Sequence, residues 1–410
     1  MTSVYPELDR TAWIIAQRPP RGTLDPSTPH GFFLETELSA SGRVISSSVI
    51  FLTNKECPWR CLMCDLWKNT LSHGVQPGAI PAQIEYALGH LECRPEQIKL
   101  YNSGSFFDPA AIPVSDYPLI AEGVSFAKRV IVECHPRLVG KRAAEFRDLL
   151  VAARGSSSAR CSNSPEKMVL AEQEFYAPQL EVAIGLETVH PDVLPRLNKK
   201  FDLGHFASAA GFLVKEGIDL RAFILVKPPF LQEEEAIEWT VKSAEFAFDC
   251  GATVVSLIPT RSGNGAMERL IESGEFSPPH LYTVEKAFEA CLVRCSVLCR
   301  SSESATGFST RNSPSPQPSP LGRGSPQAYS SGDGSNSGRE WFPLSPGERV
   351  GVRGNRIYEH HQRRIFVDSW NLEQFSNCRH CLAERKSRLE QMNMTQQILP
   401  AINCSFCGGL

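Results

Sequence analysis

The chain reads as an α/β protein, an incomplete (β/α)6 barrel with a small cysteine-rich, metal-binding appendage at its C-terminal end. Three observations predict this. Between residues 45 and 258, six short runs of branched apolar residues alternate with segments of helical periodicity, the pattern of a parallel sheet covered on both faces. These six units take about 210 residues, whereas a complete eight-unit barrel needs roughly 250. Cysteines gather in a loop just after the first run and again near the C-terminal end.

Composition sets the class. At 410 residues, 42% hydrophobic and 21% charged, the chain matches an ordinary globular protein with two or three domains, or a barrel with an appendage. No apolar run approaches the roughly 20 residues of a membrane span. The start, Met-Thr-Ser-Val-Tyr-Pro-Glu-Leu-Asp-Arg, has neither the basic nor the apolar stretch of a signal peptide. Fourteen cysteines in a long chain of this kind point to metal binding in a reducing cytoplasm rather than to a disulfide scaffold. The net charge of −3 neither advertises nor excludes a nucleic-acid partner.

Residues 1–44 are broken by Pro19, Pro20, Pro26 and Pro29 and are expected to wrap the barrel as an extension. The barrel itself spans 45–260. Its first strand, over 49–53, runs into a loop with Cys57, Cys61 and Cys64 at C-x3-C-x2-C spacing. A helix over 81–91 aligns Ile84, Leu88 and Leu91, and a second strand over 97–102 ends in the turn Ser103-Gly104-Ser105. The third strand covers 129–133, with its helix over 141–153. The fourth covers 180–187, and Gly217 stops the helix over 205–216 that follows. The fifth, over 220–227, is stopped by Pro228-Pro229. The next helix opens with Glu233-Glu234-Glu235 at its positive end, repeats Ile237, Val241, Ala244 and Phe248 at helical spacing, and ends at Gly251. The sixth strand, over 253–258, is closed by Pro259.

A helical extension follows over 261–300, carrying Cys291, Cys295 and Cys299. That spacing drifts only about 40° per step around a helix, which fits a buried stripe better than a ligand row. Residues 301–354 are dense in serine, proline and glycine and predict a disordered insertion, similar to a translated genetic element tolerated in a loop. The segment 355–410 holds two C-x2-C pairs, Cys378 with Cys381 and Cys404 with Cys407, separated by 22 residues. Four thiolates close a tetrahedral shell, so a zinc-ribbon-like site is the first expectation and an auxiliary iron–sulfur cluster the second. A weak excess of basic residues over 355–390 reads as a solvated face.

Three thiolates in one short loop suit a soft metal centre, an iron–sulfur cluster, zinc or Cu(I). Structural zinc closes with four protein ligands, and the next cysteine, Cys93, lies well beyond the loop. Three ligands and one open position fit a 4Fe–4S cluster with one free iron. In α/β barrels the active site lies at the carboxyl ends of the strands. Besides the cysteines, Asn102 to Ser105, Glu133 with His135, Gly185 with Glu187, and Lys227 fall there. Small residues let backbone approach a ligand, and a carboxylate can accept hydroxyl hydrogen bonds or balance an ammonium. A structural ion pair is the competing reading for Glu133, Glu187 and Lys227.

The segments Cys57-Pro-Trp-Arg-Cys-Leu-Met-Cys-Asp-Leu-Trp67, Leu100-Tyr-Asn-Ser-Gly-Ser-Phe-Phe-Asp108, Ile184-Gly-Leu-Glu187 and Val226-Lys-Pro-Pro-Phe230, with the tail Cys378-x2-Cys381 and Met392-Asn393, together resemble the radical S-adenosylmethionine (SAM) enzymes. Within them they resemble the archaeosine-synthase branch, similar in its barrel to the elongator catalytic subunit. The resemblance covers about residues 45–300 and 355–407. It implies a 4Fe–4S cluster on Cys57, Cys61 and Cys64 whose fourth iron chelates SAM. Met63 stands where such enzymes often carry an aromatic residue near the adenine. Ser103-Gly104-Ser105 replaces a Gly-Gly-Glu-like turn that receives the SAM amino group, and Glu187, beside Gly185, sits near a ribose contact. Asn102, Glu133 and Lys227 complete the expected cofactor contacts. The implied reaction uses a 5′-deoxyadenosyl radical to cleave a C–N bond of a lysine adduct on a transfer-RNA deazaguanine, leaving a formamidine. A partner enzyme would install the lysine, and flavodoxin or ferredoxin would supply the electron. Two other readings stay open: a radical SAM enzyme acting on a peptide or small metabolite, and a non-catalytic zinc protein that interacts with RNA.

Overall fold

The structure is a computed structural model that describes residues 3–161, 178–304, 363–369, 372–376 and 378–407. Two compact units are distinguished, 1–298 with 359–410, and 299–358. The first holds the sheet and both cysteine clusters. Most of the expected insertion (305–354) and the side chains of Cys295 and Cys299 lie outside the described residues.

The first unit is built on one curled, mixed sheet of eight strands in sequence order. They are β1 (Gly31–Leu38), β2 (Val44–Phe51), β3 (Gln97–Tyr101), β4 (Arg129–Cys134), β5 (Gln179–Glu187), β6 (Asp219–Val226), β7 (Val254–Pro259) and β8 (Arg364–Val367). β1 is antiparallel to β2, and every later pair is parallel. The six predicted strands are β2 to β7. The segments expected to flank the barrel each add one more. β1 lies in the N-terminal extension and returns to β2 through a tight loop in which the Ser39 N–H donates to Arg43 O (2.8 Å) and Gly42 takes a φ of 74°. β8 comes from beyond the insertion and pairs with β7, so the C-terminal segment is part of the half-barrel, not only an appendage to it.

Side chains along the strands divide cleanly. Ile98, Leu100, Val130, Val132, Val182, Ile184, Leu220, Ala222 and Ile224 are buried in the main core beneath the helices. The alternate positions face inward, and many are charged. Lys99 on β3 pairs with Glu35 (2.6 Å) and Glu37 (2.5 Å) of β1. Arg221 on β6 pairs with Glu37 and with Glu181 of β5, each at 2.6 Å. Arg129 on β4 joins Glu181 (2.8 Å) to Asp219 (2.6 Å). Burial opposes the charge on Glu37, yet Arg221 and Lys99 hold its carboxyl well below the usual range. At this end β8 meets β1: Arg364 Nη1 donates to Leu38 O (2.8 Å), and Leu38, Val254 and Phe366 form a small apolar cluster.

The helices follow their stop signals. Glu233–Asp249 opens on three glutamates and ends before Gly251, whose φ is 100°; a Cβ there would meet Val214 Cγ2 at 2.6 Å. Leu203–Lys215 ends before Gly217 (φ 66°). Cys291, in the helix Leu281–Ser304, is buried in the main core, as a stripe of packing cysteines requires. Among the described residues, no helix is long and apolar enough to cross a membrane.

Candidate active site and metal centre

The parallel strands open at their carboxyl ends onto a cavity of about 1110 Å³. Cys57, Cys61, Met63 and Cys64 line it, with Ser103 and Gly104 after β3, Glu133, Cys134 and His135 at β4, Gly185 and Glu187 on β5, and Lys199. Its deeper wall is made by alternate strand residues, among them Lys99 and Tyr101, Arg221 and Phe223, and Ser256 and Ile258. The C-terminal segment supplies Phe366 to Ser369, Glu390, Asn393 and Met394.

The cysteine loop is fixed by hydrogen bonds to its backbone from distant parts of the chain. Leu62 N–H donates to Leu197 O (2.9 Å), and Asn198 Nδ2 donates to Arg60 O (2.7 Å). Asn264, after β7, donates Nδ2 to Leu62 O (2.7 Å) and Cys64 O (3.1 Å). On the outer side Glu56 receives Arg18 (2.7 Å) from the N-terminal extension and Arg60 (3.3 Å) from the loop. Gly104 packs closely on the loop: a Cβ there would meet Cys57 Cβ at 3.2 Å, tighter than ordinary contact. All three cysteines are half-buried and line the cavity. Burial pushes Cys57 up to about 12, Cys64 to about 11, and Cys61 well above its ordinary range. The metal-free chain therefore holds protonated thiols, and a metal must displace those protons to bind. The donor set, three sulfurs and no fourth from the loop, fits a cluster with one iron left open.

Three strand ends store backbone strain. Ser103 (φ 54°), Glu187 (φ 68°) and Lys227 (φ 54°) all adopt the left-handed region without being glycine, a cost of about 1–3 kcal/mol each that collects at functional sites. Glu133 explains the first. Its Oε1 accepts the N–H of Asn102 (2.5 Å) and Gly104 (3.3 Å), tying down the turn. Burial raises its carboxyl to about 7, while the turn's amides oppose the rise. A folded-state pKa above the unfolded one means that the native chain binds the extra proton. The stability Glu133 contributes is therefore complete below about pH 4.5 and lost as pH rises towards 7, on the order of 3 kcal/mol. Chemical denaturation of the iron-free protein across that window will show this slope, and Glu133→Gln will flatten it.

Glu187 follows a register shift in β5. Its carboxylate is bound by Lys199, whose Nζ also donates to Gly185 O (2.7 Å). Burial opposes the Lys199 ammonium, but the Glu187 carboxylate holds its pKa above the ordinary value. Gly185 makes the room, since a Cβ there would lie 2.1 Å from Lys199 Nζ. His135 stacks on Trp59 of the cysteine loop (3.7 Å between centroids, 6° between planes). Its Nε2–H donates to Lys199 O (2.9 Å) and its Nδ1 accepts from Arg137 N (3.2 Å). Burial lowers it to about 3, so the imidazole stays neutral.

Three expected cofactor residues stand elsewhere. Asn102 is buried and its carbonyl receives Asn54 Nδ2 (2.7 Å). Ser105 accepts the His135 N–H at its hydroxyl (2.9 Å). Lys227 turns away from the cavity, donating to Ser277 O (2.8 Å) and pairing with Glu233 (3.0 Å); it is a structural ion pair, not a ligand contact. Neither Lys199 nor the Trp59–His135 stack was singled out from the sequence. Trp59 was legible as an aromatic residue inside the cysteine loop, whereas Lys199 belongs to no motif.

The C-terminal cysteines converge. Cys378, Cys381, Cys404 and Cys407 place all four sulfurs within 4.8 Å of one another, with two Sγ–Sγ separations of 3.7 Å. Bonds of about 2.3 Å to one tetrahedral ion require sulfur–sulfur edges of about 3.8 Å. A cubane, whose ligands sit on four different irons, needs them farther apart. The N–H groups of Phe406 and Cys407 lower Cys404 to about 7, providing one ready thiolate, and Arg385 Nε donates to Cys381 Sγ (3.3 Å).

No family model matches the chain. Archaeosine synthase subunit beta of Methanosarcina acetivorans is 26% identical over 267 residues, which is 62% of this chain and 69% of that protein. An uncharacterized protein of Methanocaldococcus jannaschii is 21% identical over 278 residues, 64% of this chain and 69% of that one. Among solved structures, Methanocaldococcus infernus Elp3 is 14% identical and covers 52% of this chain and 48% of its own, with a TM-score of 0.36. The half-barrel places three cysteines at its carboxyl mouth, and the chain is similar to archaeosine synthase subunit beta.

Proposed function

We propose that this enzyme modifies a deazaguanine base in transfer RNA, cleaving a C–N bond of a lysine adduct to leave a formamidine. The single observation behind the radical chemistry is that Cys57, Cys61 and Cys64 line the cavity at the strand ends; the substrate rests on the similarity to archaeosine synthase subunit beta. In this reading the three thiolates hold a 4Fe–4S cluster. Such a cluster, with SAM and one electron, would supply hydrogen-abstracting radical chemistry in the cavity. The chain's own part is positioning. Glu133 keeps the Ser103–Gly104 turn open to a ligand, the Glu187–Lys199 pair presents a fixed carboxylate beside Gly185, and the apolar face of Trp59 walls the site. The four C-terminal cysteines hold zinc, a lysine-transferring enzyme supplies the adduct, and a flavodoxin- or ferredoxin-like protein supplies the electron.

Anaerobic protein given dithionite and SAM will form 5′-deoxyadenosine. With adduct-bearing transfer RNA the yield will rise and the adduct will be consumed, as read by nucleoside mass analysis. 5′-Deoxyadenosine formation without any change in the adduct would overturn the substrate and leave the class intact.

A further inference from the structure

The C-terminal cysteine site and the cavity wall are joined by one helix. Cys381 caps the N-terminal end of Leu382–Thr395, its carbonyl accepting the Arg385 N–H (2.9 Å). From the same helix Arg388 reaches Glu285 (3.2 Å) and Glu289 (2.6 Å) on the helix Leu281–Ser304, and Arg385 also binds Glu285. The other end of Leu382–Thr395 touches β8 in an unusual way. β8 is the last strand, and its outer backbone groups have no neighbouring strand to pair with, a cost that side chains must meet. Asn393 accepts the Val367 N–H (2.8 Å) and donates to Val367 O (2.9 Å). Gln396 accepts the Ile365 N–H (2.8 Å) and donates to Ile365 O (2.7 Å). Two side-chain amides thus take the place of a ninth strand. Asn393, Met394 and Glu390 line the cavity together with Phe366 and Val367 of β8.

We propose that a metal ion at Cys378, Cys381, Cys404 and Cys407 positions the eighth strand, and with it one wall of the substrate cavity. The inference rests on the reading that these cysteines hold a metal. β8 is only four residues long, and a strand this short depends on both edges. Metal binding fixes the start of Leu382–Thr395, the helix presents Asn393 and Gln396 in register, and these hold the outer edge. Asn393 and Gln396 are positioning residues.

Residue-resolved hydrogen exchange on the full chain tests this, with bound zinc measured on the same samples. Ile365 and Val367 amides face the helix, whereas Arg364 and Asp368 donate to Thr253 O (3.2 Å) and Leu257 O (2.9 Å) of the neighbouring chain segment. The Cys404→Ser, Cys407→Ser protein should lose its zinc and keep iron at the other site. Its Ile365 and Val367 amides should exchange about tenfold faster than in the wild type, a change of about 1.4 kcal/mol. Asn393→Ala, Gln396→Ala should speed the same two amides with zinc retained, and it decides the matter should the cysteine variant not fold. Zinc loss with unchanged exchange at Ile365 and Val367, or unchanged exchange in the amide variant, would overturn the proposal while leaving the metal site standing. Wild-type protein without metal on these cysteines would instead remove the reading beneath it.

Discussion

Cys61→Ala abolishes 5′-deoxyadenosine formation and lowers bound iron, while the fold survives. The effect is expected to be total because the reaction has no route around the missing ligand: two thiolates leave a second iron without a protein sulfur. The fold should hold because the loop is secured by backbone contacts that the substitution does not touch. Asn264 grips Leu62 and Cys64, Asn198 grips Arg60, and Leu197 receives the Leu62 N–H. Iron analysis, far-ultraviolet circular dichroism and product assay on one preparation separate these outcomes. Product at the wild-type rate would mean that Cys61 is no ligand.

Arg221→Met is expected to destabilise the protein by about 3–5 kcal/mol. Arg221 is buried at the centre of the inward charge network and binds both Glu37 and Glu181 at 2.6 Å. Removing it leaves Glu37 with Lys99 as its cation and Glu181 with Arg129, and breaking a buried pair costs far more than the pair contributes on its own. The midpoint of urea unfolding measures the loss. Adding Glu37→Gln to Arg221→Met should recover part of it, since one under-compensated buried charge is then gone. A shift under about 1 kcal/mol would show that water or rearranged partners already satisfy these groups.

That network also explains what could be read from the sequence. β2 to β7 were legible because one face of each strand is apolar and because Gly217, Pro228, Gly251 and Pro259 mark the ends of elements. The expectation of strands buried on both faces in an apolar core was only half the answer. The inward positions Lys99, Glu181 and Arg221 are buried through pairing, and which strand supplies each partner is set by sheet register, not by local pattern. The same charges hid β1. Phe33, Glu35 and Glu37 face inward, so Gly31–Leu38 lacks the apolar alternation of a half-buried strand, and the prolines before it suggested irregular chain. β8 was hidden by brevity and by its distance from β7 along the chain.

At the site, the three cysteines were legible because ligand spacing within one loop is a local property. Gly104 lies against the cysteine loop, where a Cβ would meet Cys57 Cβ at 3.2 Å. Glu187 and Gly185 reached the cavity, but their partner Lys199 lies twelve residues on, with nothing in the local pattern to mark it. Lys227 was misjudged because a strand-end position does not fix direction: its backbone turns through the left-handed region and its ammonium ends against Ser277 and Glu233.

The metal and sulfide content of protein purified without oxygen tests the central claim most directly. A cluster on the barrel loop and a single ion on the C-terminal cysteines predict about four iron, about four sulfide and about one zinc per chain. Zinc in both places, with no iron or sulfide, would contradict the radical enzyme and leave a zinc protein with an empty barrel.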